Sequence, residues 1–557
     1  MLKLELEKIM LGIVIVLALY FGPGTILDHT ISHPQPYGYL ASDTFQHQIR
    51  AEWIKDAGNF KTEAPYISFG LQNIVGRYPP VLYHLGVVVS SASGFEVYDA
   101  LYLLVSIFMI FGMIACYFLI KTYNKTIALI SLPIGLLIFS MPLATGILWG
   151  HWPSLLGQVF LIAFAWSIAR KDLEKFYIPI ALLASGIALT HTSELIFAGI
   201  FLILFFLSKI LAKNIGKRDF VFFSKVGLVV LVVCAYYLII FMNTWAKSQP
   251  YQFDVFVVWE GNPGFYIAGF GLLLLFIISG IVFSLTKIKE SHVALLFSLA
   301  MLIVGFMNYV GFNVRAFQIR FMWPVYLSIF FGLGLYVIAK MAFNEWKSPY
   351  SVIACFAMIL LIVPLVHLPI LKQTSIQQIP VVPQLNLQSS QGIMNPYHWE
   401  ILQWLSKSTD PKSKVYFFYG DIYSQDALLR NAKRYHEQVE PEGLIKILNE
   451  RKITRYYPSE APGDSGGMIM QRSSLFSFEE PLELKKPDFY AGMRDICSFD
   501  YIVLDKVSGQ QVLAQYNMLI AQELIQNDFI KPIFENQVAV ILKNDKPGSE
   551  CLVDKTF

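Results

Sequence analysis

The chain has 557 residues, of which 55% are hydrophobic, 15% aromatic and only 15% charged, well short of the roughly one-quarter charged residues of an ordinary soluble domain. That composition points to a membrane protein. A formal net charge of +3 is too small to mark a nucleic-acid partner, so no nucleic acid is expected and the information lies in where the charges fall.

MLKLELEK opens the sequence, and mostly apolar residues follow without a small-residue cleavage site, which reads as an uncleaved first helix. Apolar runs long enough to cross a bilayer fall at 9–27, 97–120, 126–148, 152–169, 176–190, 194–212, 222–245, 263–286, 292–312, 321–339 and 350–371. The expectation is an α-helical polytopic membrane protein with about 11 transmembrane helices. The run 79-PPVLYHLGVVVSS-91 is too short to span and reads as an interfacial helix. With the N-terminus cytoplasmic, sixteen Lys and Arg fall on inner segments, among them those of KTYNK (121–125) and RKDLEK (170–175). Seven fall on outer segments before residue 372: Arg50, Lys55, Lys61, Arg77, Lys247, Arg315 and Arg320. The positive-inside rule selects that orientation and puts everything after residue 372 outside.

There the composition shifts. Residues 372–395 form a Pro/Gln/Ser-rich linker, and 396–557 carry soluble patterning: strand-like 415–420, 501–505 and 538–542, helix-like 398–407, 442–451 and 511–526. A transmembrane domain (1–371, with a first outer loop at 28–96) followed by a C-terminal extracytoplasmic α/β domain is expected. Of five cysteines, Cys116, Cys234 and Cys355 fall in apolar spans; Cys497 and Cys551 lie in the outer domain, where a disulfide between them is open.

The costly polar residues sort to one side. Asp28, Asp43, His47, Arg77, His151, His191, Glu194, Arg315 and Arg320 all map to outer loops or outer ends of spans, which favours a site near the outer interface. In 41-ASDTFQHQIRAEWI-54, Asp43, His47 and Arg50 are spaced i, i+4, i+7 on one helical face, with Ser42 available as N-cap. A carboxylate held there could serve as general base, and the same spacing also suits a solvated face. 77-RYPP-80 starts the interfacial helix. His151 in 149-WGHWPS-154 and His191 in 190-THTSE-194 sit on two short outer turns, the second beside Glu194. In 313-NVRAFQIRFMWP-324, Arg315 and Arg320 precede a late span, and arginine suits phosphate. The sequence contains no GxxxxGK[ST] loop, no HExxH and no cysteine pair at zinc spacing.

Taken together, SDTFQH in the first outer loop, RYPPVLYHL, the outer histidines and VRAFQIRF before a late helix resemble the GT-C membrane glycosyltransferases over roughly residues 8–345. The resemblance implies transfer of a sugar from a polyprenyl-phosphate or polyprenyl-pyrophosphate donor to an acceptor (protein, lipid or glycan) on the outer face, among membrane lipids. It implies Asp43, or its rival Asp28, as base. It places Arg320, then Arg315, at the donor phosphate, with His47, Arg77, His151, His191 and Glu194 as further substrate-binding residues. A divalent cation, Mg or Mn, is left open as cofactor. The WWDYG signature of oligosaccharyltransferase catalytic subunits and the paired acid frequent in the first loop are both missing. The rival readings are a lipid or glycolipid transporter or flippase, which should show repeats and broken midplane helices, and a non-catalytic membrane assembly protein.

Overall fold

A computed structural model describes residues 2–24, 33–68, 72–76, 78–140, 143–170, 173–245, 263–287, 292–307, 320–343, 392–423, 425–460, 469–472, 477–479, 482–483 and 492–557. Asp28, Arg77, Arg315, Cys355 and the 350–371 span lie outside the described residues. The chain divides into two compact units, one made of Met1–Ser32, Tyr78–Ile239 and Pro250–Ser389, the other of His33–Arg77, Ile240–Gln249 and Ser390–Phe557.

The first unit is helical. Among the described residues, Val97–Tyr123, Thr192–Leu211, Lys217–Thr244 and Trp323–Met341 are long and apolar enough to cross a membrane, which takes about 20 apolar residues. Among the described residues length and composition give four such helices, or five with one bent pair counted as a span, so the count of about 11 crossings is not confirmed. Two of the expected continuous runs are broken, and the sequence shows why. Pro263–Phe270 and Leu273–Thr286 replace one helix over 263–286 and meet at 107°. Gly271 between them adopts φ 53°, the left-handed conformation that ends helices. The run 126–148 becomes the helix Lys125–Ser131, a 3-10 segment Leu132–Phe139 and the short helix Thr145–Leu148, the first break falling at Pro133, which lacks the N–H an α-helix needs. Val81–Ser93 has 13 residues, about 20 Å of helix, and is too short to cross, as expected.

Close packing joins these helices. A Cβ on Gly280 would lie 1.8 Å from the carbonyl oxygen of Phe330, and one on Gly334 would lie 2.0 Å from that of Phe276. Only glycine lets the Leu273–Thr286 and Trp323–Phe343 backbones touch there. The first helix, Leu2–Leu19, is tied to the end of Val97–Tyr123 through Glu7, which accepts from Tyr117 Oη at 2.7 Å and pairs with Lys121 and Lys125.

The second unit carries the α/β domain. Its strands are β1 (Ile74–Val75), β2 (Lys414–Phe417), β3 (Tyr435–Val439), β4 (Lys452–Ile453), β5 (Tyr456–Glu460), β6 (Ile469–Arg472), β7 (Leu482–Glu483), β8 (Gly492–Asp495), β9 (Tyr501–Asp505), β10 (Ile530–Glu535), β11 (Ala539–Asn544) and β12 (Lys555–Thr556). Seven form a mixed sheet in the order β10-β11-β9-β2-β3-β5-β8, with β2 parallel to both neighbours. All five residues of β9 are buried, as a central strand covered on both faces requires. Tyr416, Phe418, Ile502, Leu504, Val540 and Leu542 pack in one core with Leu513, Tyr516, Ile520 and Leu524 of the helix Gln511–Leu524. Cys497 and Cys551 form a disulfide, with Cα atoms 5.6 Å apart. The segment before residue 77 contributes to this unit: Ile74 and Val75 pair antiparallel with Arg472 and Gln471.

Candidate functional site

In the first unit, two short turns and the approach to a late helix bring polar side chains into one network. His151 is the N-cap of the helix Trp152–Ile168, whose first turn holds Pro153, a residue tolerated there because the missing N–H has no intrahelical partner. His151 is buried, and its Nδ1 has no hydrogen-bond partner among the described residues. Burial, then the Arg320 charge, then His191 push its imidazole down to about 3, so it is neutral at pH 7.

His191 is likewise the N-cap of a helix, Thr192–Leu211, with Glu194 in the first turn, where the helix dipole favours an acid. The Glu194 carboxylate is fully buried and fully used. Oε2 lies 2.6 Å from His191 Nδ1, and Oε1 accepts from Ser154 Oγ at 2.6 Å. One turn beyond Ser154, Gln158 is also fully buried and bonds to the Arg320 carbonyl at 2.6 Å and to the Met322 N–H at 2.9 Å. Arg320 is half-buried, and its Nε is buried with no partner among the described residues. A guanidinium with a free donor beside a neutral imidazole is a local arrangement able to take an oxyanion.

In the second unit, the opening motif forms the helix Ser42–Ala57. Its N-cap is Ala41, in an extended conformation without a side-chain cap, so Ser42 is the first helical residue and not the cap. Down the expected face, burial deepens: Asp43 is half-buried, His47 is 5% exposed and Arg50 2%. Arg50 donates from Nε to Glu63 Oε1 at 2.8 Å and is committed to an internal ion pair. On the same helix Gln48 donates to Asn431 at 2.9 Å, and Lys433 bridges Asp56 at 2.6 Å and Glu52 at 3.3 Å. Burial pushes the Glu52 carboxyl up against the pull of Lys433.

The structure therefore joins His151, His191, Glu194 and Arg320 in the first unit and places Asp43 and His47 on the second. Ser154, Gln158 and Glu63 are not among the residues that the sequence pattern singles out. A signal existed for two of them: Ser154 and Gln158 are polar residues at i, i+4 inside an otherwise apolar run. Among the described residues, no three His, Cys, Asp or Glu side chains gather to hold a metal ion.

No protein-family model and no curated protein matches the chain. Solved structures do. The archaeal oligosaccharyltransferase AglB from Archaeoglobus fulgidus, in complex with an inhibitory peptide and a dolichol-phosphate, is similar with a TM-score of 0.54 at 12% identity, over 78% of this chain and 64% of that one. ArnT from Cupriavidus metallidurans in the apo state gives a TM-score of 0.54 at 11% identity, over 97% and 98%. The arabinofuranosyltransferase AftD from Mycobacteria gives 0.51 at 12%, over 97% and 40%. The chain thus spans 64% of the length of the archaeal oligosaccharyltransferase, and at these identities the likeness is one of fold.

Proposed function

We propose, for a multi-pass membrane chain with the fold of the GT-C glycosyltransferases, that it transfers a sugar from a polyprenyl-phosphate or polyprenyl-pyrophosphate donor to an acceptor on the outer face of the membrane. AglB was solved with a dolichol-phosphate and ArnT with undecaprenyl phosphate. The observation that carries the reading is Arg320, a half-buried cation whose Nε has no partner among the described residues, beside the neutral His151. Breaking the bond between an anomeric carbon and a phosphate oxygen leaves negative charge on the phosphate, and preorganised cations stabilise it. In this proposal Arg320 holds the donor phosphate, His151 and the Glu194–His191 pair line the same place, and Arg315 and Arg77 assist. Asp43 or Asp28 takes the acceptor's proton, with His47 one turn from Asp43.

The distribution of Lys and Arg supports a cytoplasmic N-terminus, with 396–557 outside. The acceptor class is protein, lipid or glycan. A structure of the A. fulgidus oligosaccharyltransferase holds Zn and sulfate, and chelation tests whether this chain uses a divalent cation such as Mg or Mn. One observation favours the flippase reading instead, the 107° break between Gly264–Phe270 and Leu273–Thr286, since broken helices line transporter sites.

The experiment offers purified protein a panel of polyprenyl-phosphate sugars and follows sugar release and lipid translocation in vesicles. Transfer that is lost in Arg320→Ala and in one of Asp43→Asn or Asp28→Asn is the expected result. Translocation without sugar release, or no binding of any such lipid, overturns it.

A further inference from the structure

Gln158 carries an arrangement that the reaction itself does not explain. Its amide has two N–H donors and a carbonyl oxygen with two lone pairs, and all four are occupied. Nε2 donates to the Arg320 carbonyl oxygen at 2.6 Å and to Ser154, 3.2 Å from Oγ. Oε1 accepts from the Met322 N–H at 2.9 Å and from Tyr326 Oη at 3.2 Å. Three of the four partners thus lie in the short stretch 320–326, where the chain enters the helix Trp323–Phe343. The first N–H groups of a helix have no intrahelical acceptor, and Gln158 supplies one just ahead of that first turn.

Holding Arg320 by its carbonyl and Met322 by its N–H fixes the backbone on which the guanidinium is mounted. The hold extends further. Ser154 Oγ donates its own hydrogen bond to Glu194 Oε1, and Glu194 Oε2 engages His191 Nδ1. One chain of hydrogen bonds therefore runs from the Arg320 carbonyl through Gln158, Ser154 and Glu194 to His191. We infer that Gln158 is a positioning residue that aims the Arg320 guanidinium at the phosphate of a polyprenyl-phosphate lipid, acting through the Arg320 backbone. This inference rests on the reading of Arg320 given above.

The test uses the full-length protein in lipid nanodiscs with Gln158→Leu and Gln158→Glu, and undecaprenyl phosphate and dolichyl phosphate as probes. Hydrogen exchange at the Met322 amide reports the clamp without any lipid. In Gln158→Leu that amide should exchange at least about tenfold faster, and the lipid phosphate should bind about tenfold more weakly, the loss of roughly one buried hydrogen bond. In Gln158→Glu the loss should appear at alkaline pH and recover as pH falls, because a protonated carboxyl offers an O–H where Nε2–H stood; wild type should show no such recovery. Faster exchange with unchanged lipid affinity overturns the inference and leaves the Arg320 reading standing. A wild type that binds neither lipid removes that reading and this inference with it. If Gln158→Leu does not fold, Gln158→Glu decides: absence of recovery at low pH overturns the proposal.

Discussion

Arg50 and Arg320 both lie on segments that the charge pattern assigns to the outer side, yet the two units dispose of them in opposite ways. In the second unit three arginines meet acids: Arg50 meets Glu63 at 2.8 Å, the half-buried Arg494 meets Glu437 at 2.7 Å, and Arg430 meets Asp426. In the first unit an acid lies in the same network as Arg320, but Glu194 is already committed to His191 and Ser154, and no ion pair to Arg320 occurs among the described residues. Removing one partner of a buried ion pair is strongly destabilising, whereas a half-buried cation with no acid partner is free for a ligand. The difference separates a structural arginine from a functional candidate by geometry, where residue type alone cannot.

The sharpest way to break that comparison is to delete each arginine. Arg50→Ala leaves Glu63 buried and unpaired, and should destabilise the second unit by about 3–5 kcal/mol, seen as a large fall in the thermal midpoint of the solubilised protein. Arg320→Ala should leave that midpoint nearly unchanged and lower transfer from a polyprenyl-phosphate sugar by about 100-fold, or ~2.7 kcal/mol of transition-state stabilisation. If Arg320→Ala unfolds the protein instead, the contrast collapses. Ser154→Ala removes the donor to a fully buried Glu194 oxygen and should cost about 2 kcal/mol in the first unit, measurable by the same melting experiment.

A pH slope is the remaining test. The His151 imidazole sits at about 3 in the folded chain against an ordinary 6.5, so the unfolded chain takes up a proton that the folded chain refuses. Stability from this group is complete above about pH 6.5 and declines as pH falls toward 3, by at most ~1.4 kcal/mol per pH unit. His151→Gln should flatten the acid side of the stability profile, and an unaltered slope would show that His151 is not held neutral.

Much of this organisation is legible in the sequence, for identifiable reasons. His151, His191, Glu194 and Arg320 stand out because ionisable residues are rare near apolar runs, and the C-terminal domain's helices and β9 follow from soluble periodicity. Gln158 and Ser154 leave only their i, i+4 spacing in an apolar run as a trace, because an uncharged polar residue in a span gains a meaning once its partners are known. The bend at Gly271 is invisible as well, since a glycine in an apolar run is consistent with a straight helix. Arg50 misleads for a different reason: its helical spacing with Asp43 is real, but its partner, Glu63, sits beyond the helix, where helical spacing gives no guidance.

The antiparallel pairing of Ile74–Val75 with Arg472 and Gln471, and the Gln48–Asn431 bond across 383 residues of chain, also bear on how the protein is made. At ribosomal speeds of about 5–20 residues per second, the segment holding Gln48 emerges some 20–75 s before its partner exists. The first loop must therefore wait, exposed and undocked, while the intervening helices are inserted one after another. Biogenesis of this chain is gated at its far end: a ribosome that stalls anywhere in the membrane region leaves behind a loop with nothing to close on, a natural handle for quality control.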